Sequence, residues 1–145
     1  MPITGDWKRL QATIRGVRAL ALIPAALSVE GSKAIKAEID REFATSTDPY
    51  GNRWAPHKPA TVKRWGPHPL LQLTGEGKAQ IKVRPLPGAG IAIESPSEGL
   101  AFSQGGTRNQ VARRFLPLDR MPKTWRLALE AVTKRKAEEA LRGAR

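Results

Sequence analysis

The residues able to do chemistry are few and poorly placed for it. His57 and His68 are the only two histidines, and both fall in a proline-rich stretch with no further ligand at metal-binding spacing. With no cysteine, the chain has no thiolate metal site, disulfide framework or cysteine nucleophile. No serine, histidine and aspartate stand in an order that suggests a nucleophile elbow. Thr74-Gly75-Glu76-Gly77 superficially resembles a phosphate-cradling loop, but it is expected to lead into a strand, not the helix such loops require. Nothing singles out a working carboxylate pair among the 13 acids. The expectation is a protein with no catalytic residue, no metal and no cofactor, hence not an enzyme.

What remains is charge and aromatic anchors. Lysine and arginine number 25 against the 13 acids, a net charge of +12 that points toward polyanionic partners. Between Thr107 and Arg126 six basic residues (Arg108, Arg113, Arg114, Arg120, Lys123 and Arg126) accompany a single acid, Asp119. Arg108, Arg120, Lys123 and Arg126 are candidates to face DNA or a partner, and Lys134-Arg135-Lys136 could also follow phosphates. No helix-turn-helix, zinc or RNA-recognition signature accompanies them, and the aromatics are not interleaved for base stacking. A basic, sequence-blind nucleic-acid-binding module is therefore the alternative reading.

At 145 residues, one domain is expected over 1–145. Its first region, 1–44, reads as helical. Asp6 is a suitable N-cap, and Trp7, Leu10, Ile14, Val17 and Ala21 make one apolar stripe. Pro24 breaks the pattern and suits the first turn of a second helix, whose inner face is Leu27, Ile35, Ile39 and Phe43. Gly31, on that line, marks either a close helix approach or a weak point. Lys36, Asp40, Arg41 and Glu42 are assigned to the solvated side. The longest apolar run, Ala19–Leu27, is too short to span a bilayer and contains Pro24, so no membrane association and a cytosolic origin are expected.

Residues 45–69 form a long loop rich in proline and tryptophan. In it Asp48-Pro49-Tyr50-Gly51-Asn52-Arg53-Trp54-Ala55-Pro56 reads as a stiff turn ending in an aromatic anchor, and Pro59 can open one or two helical turns through Trp65. Residues 70–117 are expected to supply a small antiparallel sheet of about four to five strands. Leu70-Leu71-Leu73, Ile81–Pro85, Ile91–Ile93, Leu100–Phe102 and Arg113–Pro117 are its candidate strands, with the hairpin across Pro87–Gly90 the clearest. A last helix is expected over 121–143, with Trp125, Leu129 and Val132 facing inward. Two N-terminal helices, a sheet and a C-terminal helix make an α+β fold.

Several of these segments, in this order, resemble the phage virion morphogenesis family of Mu-like tail-completion and head–tail joining proteins. Asp48 to Pro56 resembles the family's D-P-x-G-x-x-W-x-P turn, with Thr61 at a typical threonine position. Leu71 to Gly75 resembles L-x-x-T-G, Ala101 to Thr107 resembles A-x-x-H-x-x-G, and Arg113 to Pro117 resembles R-P-F-L. The likeness covers roughly residues 35 to 130. Gln104 stands where a histidine is common, Arg114 where a proline is common, and Glu76-Gly77 where a leucine usually continues the strand.

The resemblance implies a structural virion component of the neck or tail top, with no activity, assembled in the host cytoplasm. Its partners would be copies of itself in a ring, taken as a hexamer with a dodecamer as the alternative, together with adjacent neck and tail-tube proteins. Double-stranded DNA would pass through the ring with weak, non-specific contact. Exposed sheet edges give a physical reason for a ring, because neighbouring copies can cover them. Trp54, Trp65, Arg113, Arg114 and Phe115 are the candidates to order or contact assembly surfaces, although Trp54 and Phe115 also fit plain core anchoring.

Overall fold

A kink at Ala21-Leu22 separates the first two helices, α1 (Trp7–Leu20) and α2 (Ile23–Thr45), in a computed structural model that describes residues 7–143. Asp6, the expected N-cap, lies outside the described residues. Pro24 sits in the first turn of α2, where its missing N–H costs nothing. Along α2, Ile35, Ile39 and Phe43 are buried at four-residue spacing. Helix α3 (Pro59–Trp65) interrupts the proline-rich loop, again opened by a proline. A four-residue helix, α4 (Glu76–Ala79), precedes strands β1 (Lys82–Pro85) and β2 (Ile91–Glu94). Helix α5 (Glu98–Gly105) follows, and α6 (Lys123–Gly143) closes the described chain.

The strands pair antiparallel, Val83 opposite Ile93 and Pro85 opposite Ile91. Ser28 of α2 holds their turn in place, its hydroxyl 2.8 Å from the Leu86 carbonyl and 2.7 Å from that of Gly90. Both α6 and the hairpin pack on α2. Gly31 is the point of closest approach, since a Cβ there would lie 2.9 Å from a Leu129 methyl and 3.1 Å from one of Ile91. The core gathers around Ile39, Phe43, Trp54, Phe115 and Trp125, with Leu70, Leu71 and Leu129 packed against it.

The expected sheet of four to five strands is wrong: the described residues are mainly helical with one two-stranded sheet. Leu70, Leu71 and Leu73 form turns, with Leu71 at φ 60°, and the first two reach the core without a partner strand. Leu100-Ala101-Phe102 is helical. Ser97 caps that helix and Glu98 occupies its first turn, two start signals that outweigh a three-residue apolar run. Arg113–Pro117 is irregular backbone whose polar groups bond to the Ser103 carbonyl, the Trp54 indole and the Gln104 side chain. The glycine-rich Thr74–Gly77 leads into α4, contrary to expectation, but α4 is a single turn.

Two facings also differ from expectation. In α1 the residues turned toward α6 are small: Gly16 is buried, and Ala12 and Ala19 are half-buried. The large apolar stripe looks outward, with Leu10 48%, Ile14 41% and Val17 63% exposed. Glu42, assigned to the wet side of α2, is fully buried. It lies three residues beyond Ile39 and seven beyond Ile35, on the same helical stripe. Among the described residues no single helix is long and apolar enough to cross a membrane.

Candidate functional site

The turn at Asp48 is locked by its own first residue. One carboxylate oxygen of Asp48 accepts the backbone N–H groups of Tyr50 (2.9 Å) and Asn52 (2.8 Å), and the other accepts the Asn52 side-chain amide. Gly51 takes φ 91°, which explains a glycine at that point. Beyond the turn, Trp54 is buried edge-on to Phe43 with centroids 5.3 Å apart, and its indole N–H donates to the Arg114 carbonyl at 2.7 Å. Phe115 also packs against Phe43, with ring centroids 5.7 Å apart. Trp54 and Phe115 thus meet inside the chain's own core.

Arg113 belongs to the same construction. Its guanidinium donates to the carbonyls of Ala55 (2.7 Å) and Pro56 (2.9 Å), fastening the proline-rich loop, and partial burial lowers its pKa from the ordinary arginine value. Arg114 points outward. Trp65 ends α3 with 54% of its surface exposed, the Arg64 guanidinium lying 5.0 Å from its ring centroid. The five assembly candidates therefore divide into three that fix the loop and two, Trp65 and Arg114, on the surface.

Sequence reasoning missed Gln104. Its side-chain oxygen accepts the N–H groups of Phe115 and Leu116, both at 3.0 Å, while its amide donates to the Leu116 carbonyl at 2.8 Å. One amide takes the place of a neighbouring strand for the Arg113–Pro117 segment. Its departure from the histidine of the resembling pattern was the only available signal.

Glu42 was missed too. One of its oxygens accepts the Trp125 indole N–H at 2.7 Å and the other has no hydrogen-bond partner among the described residues. Burial raises its pKa from 4.5 to about 7, against the opposing pull of the Trp125 bond.

Two cavities adjoin these elements. The first, about 590 Å³, lies between the proline-rich loop and α5. Its cations are engaged with backbone: Arg113 as above, and Lys58 with the Asn109 carbonyl at 3.2 Å. His57 and His68 stack there at 4.2 Å, and their ring nitrogens bond to the carbonyls of His68 and Gly66. Among the described residues no cluster of three potential metal ligands exists.

The second cavity, about 630 Å³, lies between the Asp48 turn and the start of α6. Arg41, Arg120, Lys123 and Arg126 line it with Tyr50, Gly51 and Thr124, and no carboxylate is among its lining residues. Tyr50 fixes its shape: the hydroxyl donates to the Arg120 carbonyl at 2.9 Å and accepts the Leu118 N–H at 3.1 Å. The Arg120 guanidinium lies 5.5 Å from the Tyr50 ring centroid. Of the four basic candidates, Arg120, Lys123 and Arg126 are thus brought together, joined by Arg41. Arg108 is elsewhere, exposed at the tip of the Thr107–Gln110 turn. Compared with protein-family models, curated proteins and solved structures, the chain matches none of them.

Proposed function

We propose that this chain is a structural subunit of a bacteriophage neck or tail top, of the tail-completion, tail-terminator or head–tail joining kind. It closes with copies of itself into a ring through which DNA passes and performs no reaction. The observation that carries this reading is the facing of α1. A helix that packs inward through Gly16 and alanines while presenting Leu10, Ile14 and Val17 outward has its larger apolar surface reserved for something outside the fold. The two-stranded sheet adds two outer edges, neither paired with another strand among the described residues. The motif order from Asp48 to Pro117 supplies the link to virion assembly.

Charge favours a ring over a two-fold dimer. The stripe on α1 is flanked by Lys8, Arg9, Arg15 and Arg18, and α1 contains no acid. Two α1 helices meeting face to face would oppose these charges, whereas a head-to-tail contact sets α1 against a different face of the next copy. Repeated with a rotation that divides the circle evenly, as this reading requires, that contact closes into a ring.

Sedimentation velocity and mass photometry on the wild type and on Ile14→Glu/Val17→Glu test the proposal. Both sites are solvent-exposed, so the variant is expected to keep its helicity and melting temperature while its self-association weakens by about tenfold or more. A wild type that stays monomeric at high concentration, alone and with neck partners, would overturn the reading. So would a variant that assembles as the wild type does. The alternative, a basic nucleic-acid-binding module, is favoured by the second cavity and would show as tight duplex binding by a chain that never assembles.

A further inference from the structure

We infer that the groove between the Asp48 turn and the start of α6 is a binding site for the phosphate backbone of duplex DNA. The inference rests on the assembly reading for its biological partner and on the groove alone for its chemistry.

Four cationic side chains from two separate segments, Arg41 of α2 and the run Arg120–Arg126, converge on one cavity with no carboxylate in its lining. Two of them have acids nearby. Arg41 donates to Glu38 of its own helix at 2.8 Å, and Arg126 stands 3.9 Å from Glu130. Among the described residues Arg120, which lies over the Tyr50 ring, has no carboxylate partner, and Lys123 has neither a carboxylate nor a ring partner. Nor does positive charge at the start of α6 serve the fold. Lys123 and Arg126 occupy the first turn of α6, where the helix dipole disfavours positive charge, and no acid in that turn offsets them. A local electrostatic conflict kept on a rigid, open surface is relieved by an anion.

The anion is a polymer, for three reasons. The cations are all exposed, which would leave a small anion mostly in water and suits the phosphates of a bulky polymer. Tyr50, the turn and Pro122, itself fully buried, hold the groove without needing a ligand. No charged or amide side chain is buried in it to give a small molecule a specific partner. No groove-entering element accompanies the cations, so binding is blind to sequence.

Fluorescence anisotropy with a labelled random-sequence duplex, over about 50 to 200 mM chloride, measures both the affinity and its salt slope. Arg120→Ala/Lys123→Ala is expected to lower the slope by about 2 and the low-salt affinity by roughly tenfold or more. Arg108→Ala/Arg114→Ala, which removes equal charge outside the groove, should lower the slope by less than about 1. Should Arg120→Ala disturb the Tyr50 contact, seen as a lower melting temperature, Lys123→Gln alone still removes about one unit of slope. Equal losses from the two double variants would show attraction by bulk charge and overturn the site. Displacement of the duplex by inorganic phosphate, at ionic strength matched with chloride, would overturn it in favour of a small-anion pocket. Mass photometry of the same samples separates this from the ring: loss of assembly with the slope difference retained refutes the ring alone, and the reverse refutes the groove alone.

Discussion

Glu42 shows how much one side chain can commit a fold to. An acid on the inner stripe of α2 has to find a donor, and Trp125 of α6 supplies one; the second oxygen has none among the described residues. Burial of that oxygen holds the carboxyl's pKa near 7 in the folded state, against 4.5 for the ordinary group. Between these values the folded protein keeps a proton that the unfolded chain has released. The unfolded state therefore binds fewer protons, and stability must fall as pH rises through this window. Below about pH 4.5 both states hold the proton and the contribution is constant. Glu42→Gln retains an acceptor for the indole and mimics the neutral acid. It is expected to flatten the decline between pH 5 and 8 and to raise stability at pH 8 by about 1–3 kcal/mol. Urea unfolding at the two pH values checks this, and equal declines in both proteins would show that Glu42 titrates normally.

Among the elements, the hardest piece to hold is the irregular run Arg113–Pro117, which carries core residue Phe115 without a strand beside it. Gln104 on α5 satisfies three of its backbone groups at once. Gln104→Ala strands those groups in a half-buried setting and is expected to cost about 2–4 kcal/mol, read as a lower urea midpoint. Gln104→Glu compared with the wild type at about pH 3–4, where a protonated carboxyl keeps both acceptor bonds and an O–H donor toward the Leu116 carbonyl, should cost less. Equal costs would mean that the oxygen does not carry the segment. This piece was illegible in the sequence, because a side-chain bond across 11 or 12 residues leaves no periodic trace.

Other parts were legible for identifiable reasons. Prolines at 24 and 59 marked two helix starts, four-residue spacing marked the core face of α2, and alternation around Pro87–Gly90 marked the hairpin. Runs such as Leu100–Phe102 failed because three apolar residues fit a strand or a helix turn equally. The direction of α1 failed because an apolar stripe shows that a helix is amphipathic, not which side the fold covers. In the groove, Arg120, Lys123 and Arg126 were suspected because they are close in sequence. Arg41 joins them only in the fold, where α2 packs on α6 and the Tyr50 hydroxyl reaches Arg120 across 70 residues.

Taken whole, the molecule combines two attractions that salt should drive in opposite directions. Each copy carries +12, and the stripe offered for self-contact on α1 is apolar with cationic flanks. Bringing copies together gains from burying Leu10, Ile14 and Val17, a term that added chloride leaves nearly unchanged. It is opposed by like-charge repulsion, which reaches about 30 Å at 0.01 M salt and only about 10 Å at 0.1 M. Self-association should therefore strengthen as salt rises from about 0.01 to 0.2 M. Duplex binding, which depends on releasing counterions from phosphates, should weaken by about tenfold or more over the upper part of that range. Sedimentation velocity and duplex titration across one salt series would show the two curves crossing. Added duplex should in turn promote assembly at low salt, since phosphates lining up neighbouring grooves screen the repulsion between copies. If self-association instead fell with salt in parallel with DNA binding, ion pairs would be holding the copies together. The outward apolar stripe would then not be the surface that joins them.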